Sequence, residues 1–272
     1  MTIKLTSPRL LNTIALFFTA LLVGCSTVVT APAVPAPNVA QAQSAWTRVL
    51  QDHVNNAGEV EFAALAARPD DLNTFVRFIA DAPLSSFAEG SPRLAHMINA
   101  YNALSMFNVV QSGIPPTHAG FNKVTFFVLR KVQVGGQDMS LRSFENDIIR
   151  PYALSQREPR IHFALNCSAV SCPVLPRTPF TAAALGDELE REARAFFARP
   201  LNFRADATAN ALWLSEILSF YPEDFVPVYA PNLINFANRY AAQAVPENFQ
   251  VKFTPYDWTI ANARRPSDKK AP

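Results

Sequence analysis

Glycine is scarce in this chain, 8 in 272 residues, and none is arranged as a phosphate-binding loop. Such loops bring consecutive backbone N–H groups against phosphate, so nucleotide cofactors are not expected. Histidine and cysteine are scarcer still. His53, His96, His118 and His162 show no close ligand spacing, and Cys25, Cys167 and Cys172 supply no second cysteine pair, so no metal site is expected. No apolar run reaches the ~20 residues that a helix needs to cross a bilayer.

The longest apolar run, from Leu10 to Val23, is preceded by Lys4 and Arg9 and ends in Leu22-Val23-Gly24-Cys25. A charged start, a short apolar stretch and a small residue directly before cysteine form a bacterial lipoprotein signal. Residues 1–24 are therefore expected to be removed and Cys25 to carry lipid. Loss of Lys4 and Arg9 from 24 basic residues leaves the cations matched to the 22 acids. A neutral domain lacks the basic footprint that phosphate neutralisation demands, so nucleic acid is not expected as a partner. Ser26 after the cysteine, by resemblance to sorted bacterial lipoproteins, places the expected anchor in the outer membrane, facing the periplasm.

Residues 25–43 combine the lipidated cysteine with a Pro/Ala-rich, uncharged stretch expected to act as a flexible tether. Residues 44–261 read as one folded domain, and 262–272, with Arg264, Arg265, Lys269 and Lys270, as a basic disordered tail. Apolar spacing predicts helices over 45–54 and 71–80, and Ser91-Pro92 opens a helix running to about Ser112. Gly135-Gly136 is expected to turn a hairpin between strands 125–134 and 137–140. Residues 141–149 read as a short helix ended by Pro151, residues 160–167 as a buried strand, and Thr181 as the cap of a following helix. Strands near 212–214 and 250–253 flank a last helix opened by Pro231. This order predicts an α+β domain, an antiparallel sheet packed against several helices.

Two places depart from ordinary core chemistry. The 92–112 helix is apolar around most of its circumference, yet His96, Asn99 and Asn102 share one face. A buried amide without partners costs about 1–3 kcal/mol, so these asparagines must bond something specific, either neighbouring backbone or a ligand. The second is the stretch from Arg160 to Pro173. Cys167 and Cys172 are expected to form a disulfide in an oxidising envelope. Alternatively Cys167 is a nucleophile beside backbone N–H groups, with His162, His96 or His118 as its base. As strand neighbours, His162 and Cys167 would face opposite ways.

INAYNAL (98–104), SLRSFENDIIRP (140–151), IHFALNCSAVSCP (161–173), LSEILSFYPEDF (214–225) and YDWTI (256–260) occur in the order seen in the domain of unknown function 547 family, which the chain resembles from about Trp46 to Ile260. The resemblance implies no settled activity, but it directs attention to Asn99, Tyr101, Asn102, Glu145 and Cys167. Family members commonly carry histidine directly after the glutamate; here Asn146 follows Glu145. Glu145 then either orients a base, accepts a substrate amine, or pairs with Arg142 or Arg150 as an ordinary helix acid.

The leading expectation is a cysteine-dependent acyl-transfer or amide-hydrolysing enzyme, papain- or transglutaminase-like, acting on envelope peptides. Cys167 would be the nucleophile, His162 the base, Asn99 and Asn102 the orienting or oxyanion groups, and Glu145 an accessory carboxylate. The alternative is a non-catalytic lipoprotein that binds a protein partner or cell-wall fragment in the same cleft. A thiol redox module is third, because four residues separate Cys167 from Cys172 where thioredoxin-like sites have two.

Overall fold

The computed structural model describes residues 26–263; the signal segment, Cys25 and residues 264–272 lie outside them. Thr27–Val28 (β1) opens the described chain, followed by helix α1 at Val39–His53. The first five residues of that helix, 39–43, fall inside the expected tether. Asn38 and Gln41 cap each other's backbone N–H reciprocally at 2.9 Å, and Ala42, Ala45, Trp46, Val49, Leu50 and His53 form one buried stripe. The periodic pattern thus outlasts the proline-rich composition that suggested disorder.

Helices α2 (Phe62–Ala67) and α3 (Asp70–Asp81) lead to α4 (Ser91–Gln111). Trp46 stacks on Phe75 of α3 at 5.2 Å. The cap of α4 is Gly90, at φ 81°, with Ser91 already helical. Sixteen of its residues are buried, so α4 is the axis of the larger apolar core.

Residues expected as the first half of a strand are helical instead. Phe121–Val124 (α5) runs into a π-helical turn, Thr125–Leu129, and only Arg130–Val134 (β2) is strand. β2 pairs antiparallel with Gln137–Ser140 (β3) around Gly135-Gly136, both at positive φ, as a tight hairpin requires. β1 joins β2 in parallel, Thr27 beside Arg130. After Leu141–Ser143 (α6), a second π-helical turn spans Phe144–Ile149 and continues as Arg150–Ser155 (α7). Pro151 does not end this helix. It sits in the first turn of α7 just after a widened turn in which the Arg150 N–H reaches back to the Glu145 carbonyl, where the missing proline N–H is tolerated.

The predicted strand 160–167 is a 3₁₀ turn, Pro159–Phe163, followed by irregular chain. Helix α8 (Leu185–Ala198) begins later than Thr181, whose N–H and hydroxyl are both held by the Glu188 carboxylate. Phe203–Asp206 (β4) and Ala211–Ser215 (β5) are antiparallel. Past Ile217–Phe220 (α9) and Leu233–Asn238 (α10), Gln250–Thr254 (β6) returns parallel to β5. The class is α+β, but two three-stranded mixed sheets stand where one antiparallel sheet was expected. A second apolar core gathers Phe163, Phe196, Phe225 and Phe236.

The last described residues tie the 168–170 loop to Val60 of the larger core. Val170 donates to the Thr259 carbonyl, Ala261 to that of Ser168, and Ala263 to that of Val60. Chain order therefore extends past 261, into the first residues assigned to the tail. No helix among the described residues is long and apolar enough to cross a membrane.

Candidate functional site

The loop after Phe163 is held by buried amides. Asn102 of α4 donates from Nδ2 to the Ala164 carbonyl (3.0 Å) and accepts the Asn166 N–H (2.7 Å). Asn166 in turn donates to the Pro173 carbonyl (2.6 Å) and accepts the Ser168 N–H (2.7 Å). Ser168 takes φ 66°, a left-handed conformation for which its hydroxyl is fixed by Ser105 at 2.9 Å. His118 Nε2 donates to the Cys167 carbonyl at 3.0 Å, which sets its tautomer. Burial lowers the His118 imidazole to about 4, against the opposing pull of that carbonyl.

This scaffold presents Cys167 and Cys172 joined as a disulfide. The Cys167 N–H points at Cys172 Sγ (3.0 Å), and the Tyr256 hydroxyl lies 3.0 Å from Cys172 Sγ and 3.4 Å from Cys167 Sγ. Both sulfurs line a cleft of about 510 Å³. Its walls are aromatic and aliphatic: Phe127 and Val128 on one side, Phe220, Tyr221, Tyr256 and Trp258 on the other. Charged side chains Glu145, Arg142 and Lys123 line it, together with the His162 imidazole. Lys123 Nζ sits 3.9 Å over the Trp258 ring.

Glu145 is carried by the second π-helical turn and accepts a hydrogen bond from the Tyr101 hydroxyl at 2.8 Å. Burial and the Glu145 charge push the Tyr101 phenol well above its ordinary range, and Tyr221 to about 12 for the same reasons. Burial first, then Glu145, likewise raises Tyr256. Three hydroxyls that stay protonated thus stand in this cleft. Neither Arg142 nor Arg150 takes Glu145. Arg150 instead grips Asp224 with Nε and Nη2 (2.7 and 3.0 Å) and lies 3.8 Å over the Tyr221 ring.

His162 Nε2 is 2.7 Å from Asp224 Oδ2. With that carboxylate as acceptor, Nε2 carries the proton and Nδ1 is the nitrogen able to accept one. Burial opposes ionisation of Asp224, but the hydrogen bonds from His162 and Arg150 outweigh it, and its pKa is lowered.

Cys167, His162 and Glu145 therefore meet on one cleft, because the chain turns at 159–163 instead of extending. Asn99 and Asn102 do not line it. Asn99 is saturated by Trp46 Nε1 (3.1 Å) and by the Phe180 carbonyl and N–H (2.7 and 3.0 Å), so both asparagines pin backbone and neither is placed as an oxyanion or orienting group. His96 is no base for Cys167 either: it is sealed between Phe87 and Phe78, and burial lowers it to about 4. Among the residues that sequence reasoning missed, Asp224 stands 62 positions from His162 and reads in sequence as a turn acid. No spacing signals that pair. Among the described residues, no group of three or more His, Cys, Asp or Glu is placed to hold a metal ion.

Residues 85–197 match the family described as protein of unknown function, DUF547. That segment, which carries Tyr101, Glu145, His162 and both cleft cysteines, is similar to this family over somewhat under half of the chain; Asp224, Tyr256 and Trp258 lie beyond the matched residues. Neither the curated proteins nor the solved structures contain a match.

Proposed function

Because similarity to this family assigns no activity, we propose from the cleft itself that this chain is an outer-membrane lipoprotein, anchored through Cys25 and facing the periplasm, that binds envelope peptides or cell-wall peptide fragments. The carrying observation is Glu145, held by Tyr101 at 2.8 Å on the wall of an aromatic cleft of about 510 Å³. A largely apolar concavity with a few fixed polar groups is the usual form of a ligand site. Glu145 receives the peptide's amine, the aromatic walls receive an apolar side chain, and Lys123 and Arg142 meet its carboxylate.

Calorimetric titration with tripeptides bearing a free or an acetylated amine tests this. Free-amine peptides are expected to bind, and Glu145→Gln or acetylation to weaken binding roughly tenfold, the worth of one charge-assisted hydrogen bond. Equal binding by parent and E145Q overturns the assignment of the amine site. Incorporation of labelled palmitate, and its loss in Cys25→Ser, tests the anchor.

A second reading is favoured by His162 and Cys167 lining the same cleft. In it, an envelope dithiol reduces the Cys167–Cys172 bond and is itself oxidised. The Cys167 thiol then adds to an amide carbonyl, its proton passing to His162 Nδ1 and on to the departing amine, and water hydrolyses the resulting thioester. This reading predicts a peptide-acyl adduct on Cys167 in reductant that is absent from Cys167→Ala. Reduced protein that binds peptide with neither adduct nor cleavage refutes it.

A further inference from the structure

The helix that forms one rim of the cleft carries an apolar face with nothing on it. Phe121 is 73% exposed, Val124 42% and Val128 44%, at spacings that put them on one side of α5 and the π turn that follows. Only one exposed large apolar residue on the cleft's other rim, Phe220, approaches this. Three observations identify what covers that face.

The first is chain length. β1 pairs with β2 in parallel with Thr27 beside Arg130, and Cys25 is two residues before Thr27 just as Val128 is two before Arg130. Two residues span at most about 7 Å. A lipid on Cys25 is therefore tethered, on almost no slack, next to the end of the exposed helix. The second is charge: no acid occurs between Glu89 and Asp138, while Lys123, Arg130 and Lys131 lie in and just after the helix. Apolar residues flanked by cations are the composition of segments that rest in the headgroup region of anionic bilayers. The third is contrast: the comparably exposed Val228 (64%) is a lone residue in a loop, with no exposed large apolar neighbour at helical spacing.

We propose that the Phe121, Val124 and Val128 face docks on the phospholipid bilayer that holds the anchor, a statement that rests on the lipoprotein reading for its geometry. The same helix gives Lys123, Val124, Phe127 and Val128 to the cleft. Docking brings that rim to the headgroups, so the cleft receives ligands lying close to the membrane surface.

The full mature chain, purified in detergent, is reconstituted on vesicles of phosphatidylethanolamine and phosphatidylglycerol, with and without brominated acyl chains. Phe121→Trp, Val128→Trp and Val228→Trp are compared after subtraction of the parent's fluorescence. Bromine is expected to quench the tryptophans at 121 and 128 at least roughly threefold more than that at 228, as interfacial burial of an apolar face demands. Equal quenching at all three sites, or stronger quenching at 228, overturns the docking face. Palmitate labelling of the same preparations reads the anchor separately. Labelled protein with equal quenching refutes the face and keeps the anchor; unlabelled protein still quenched at 121 and 128 refutes the anchor and keeps the face.

Discussion

Asp224→Ala removes the buried carboxylate that ties Arg150 and the cleft-lining His162 together. Its side chain is 3% exposed and that of Arg150 14%, and it accepts three hydrogen bonds at 2.7 to 3.0 Å, two from Arg150 and one from His162. Truncating one partner of a buried ion pair costs about 3–5 kcal/mol, mainly because the other charge is stranded. Arg150 is not wholly stranded, since Asn146 Oδ1 (2.6 Å), the exposed Glu223 (3.2 Å) and the Tyr221 ring remain. The lower end, about 3 kcal/mol, is therefore expected. With a urea m-value of about 2–3 kcal/mol/M for a domain of this size, the midpoint at pH 7 should fall by about 1–1.5 M. The pH dependence has a fixed sign. Asp224 has a lowered pKa in the folded state, so its contribution is complete above the ordinary value of 3.8 and is lost as pH falls through the folded value. Parent and variant should thus differ by a constant amount from pH 7 to about 4 and converge below it. A difference under about 1 kcal/mol at pH 7 would show that water screens the pair, and a gap that widens in acid would reverse the sign.

His96, lowered to about 4 from 6.5 by burial, binds fewer protons folded than unfolded, so stability declines as pH drops from about 6.5 toward 4. His96→Phe keeps the stacking on Phe87 and should remove up to about 1.4 kcal/mol per pH unit of that slope; an unchanged slope in pH-dependent unfolding refutes it. Reduction of the Cys167–Cys172 bond opens a short loop and should lower unfolding stability by about 2 kcal/mol in the chain-entropy model, read as the difference in urea midpoint with and without reductant. Identical midpoints, with thiols shown to be free, would mean that the hydrogen-bonded loop is rigid without its bond.

Helices α1, α3 and α4 and the Gly135-Gly136 hairpin were legible because each rests on a local pattern: an apolar stripe, a Ser-Pro opening, two residues free to take positive φ. The mistakes share a cause. Residues 125–129 and 160–163 are rich in β-branched and aromatic side chains, and in isolation such runs fit a strand. Here π and 3₁₀ turns set by contacts with distant residues prevail. Residues 39–43 were misjudged by composition, which ignores that a helix stripe starting at Ala42 finds α3 to pack on. At the site, Cys167, His162 and Glu145 were identifiable by residue type, while their convergence required the turn at 159–163. The asparagines were identifiable as buried amides needing partners, and the choice between backbone and ligand lay in the fold of residues 164–180, which no local rule supplies.

That outcome orders the two readings of the cleft. Every group that fixes the Cys167 loop is already engaged: its carbonyl by His118, its N–H and sulfur by Cys172, its neighbours by Asn102 and Asn166. Cysteine chemistry therefore begins only after a separate reductive event, and in an oxidising compartment that event needs its own donor. Glu145 depends on no such event. Its carboxylate is held by a phenol whose proton burial keeps in place, and it faces the cleft whether the sulfurs are joined or free. Ligand capture by Glu145 thus precedes any thiol step in either reading, so E145Q must impair both binding and, in reductant, any acyl transfer, whereas C167A impairs only the latter.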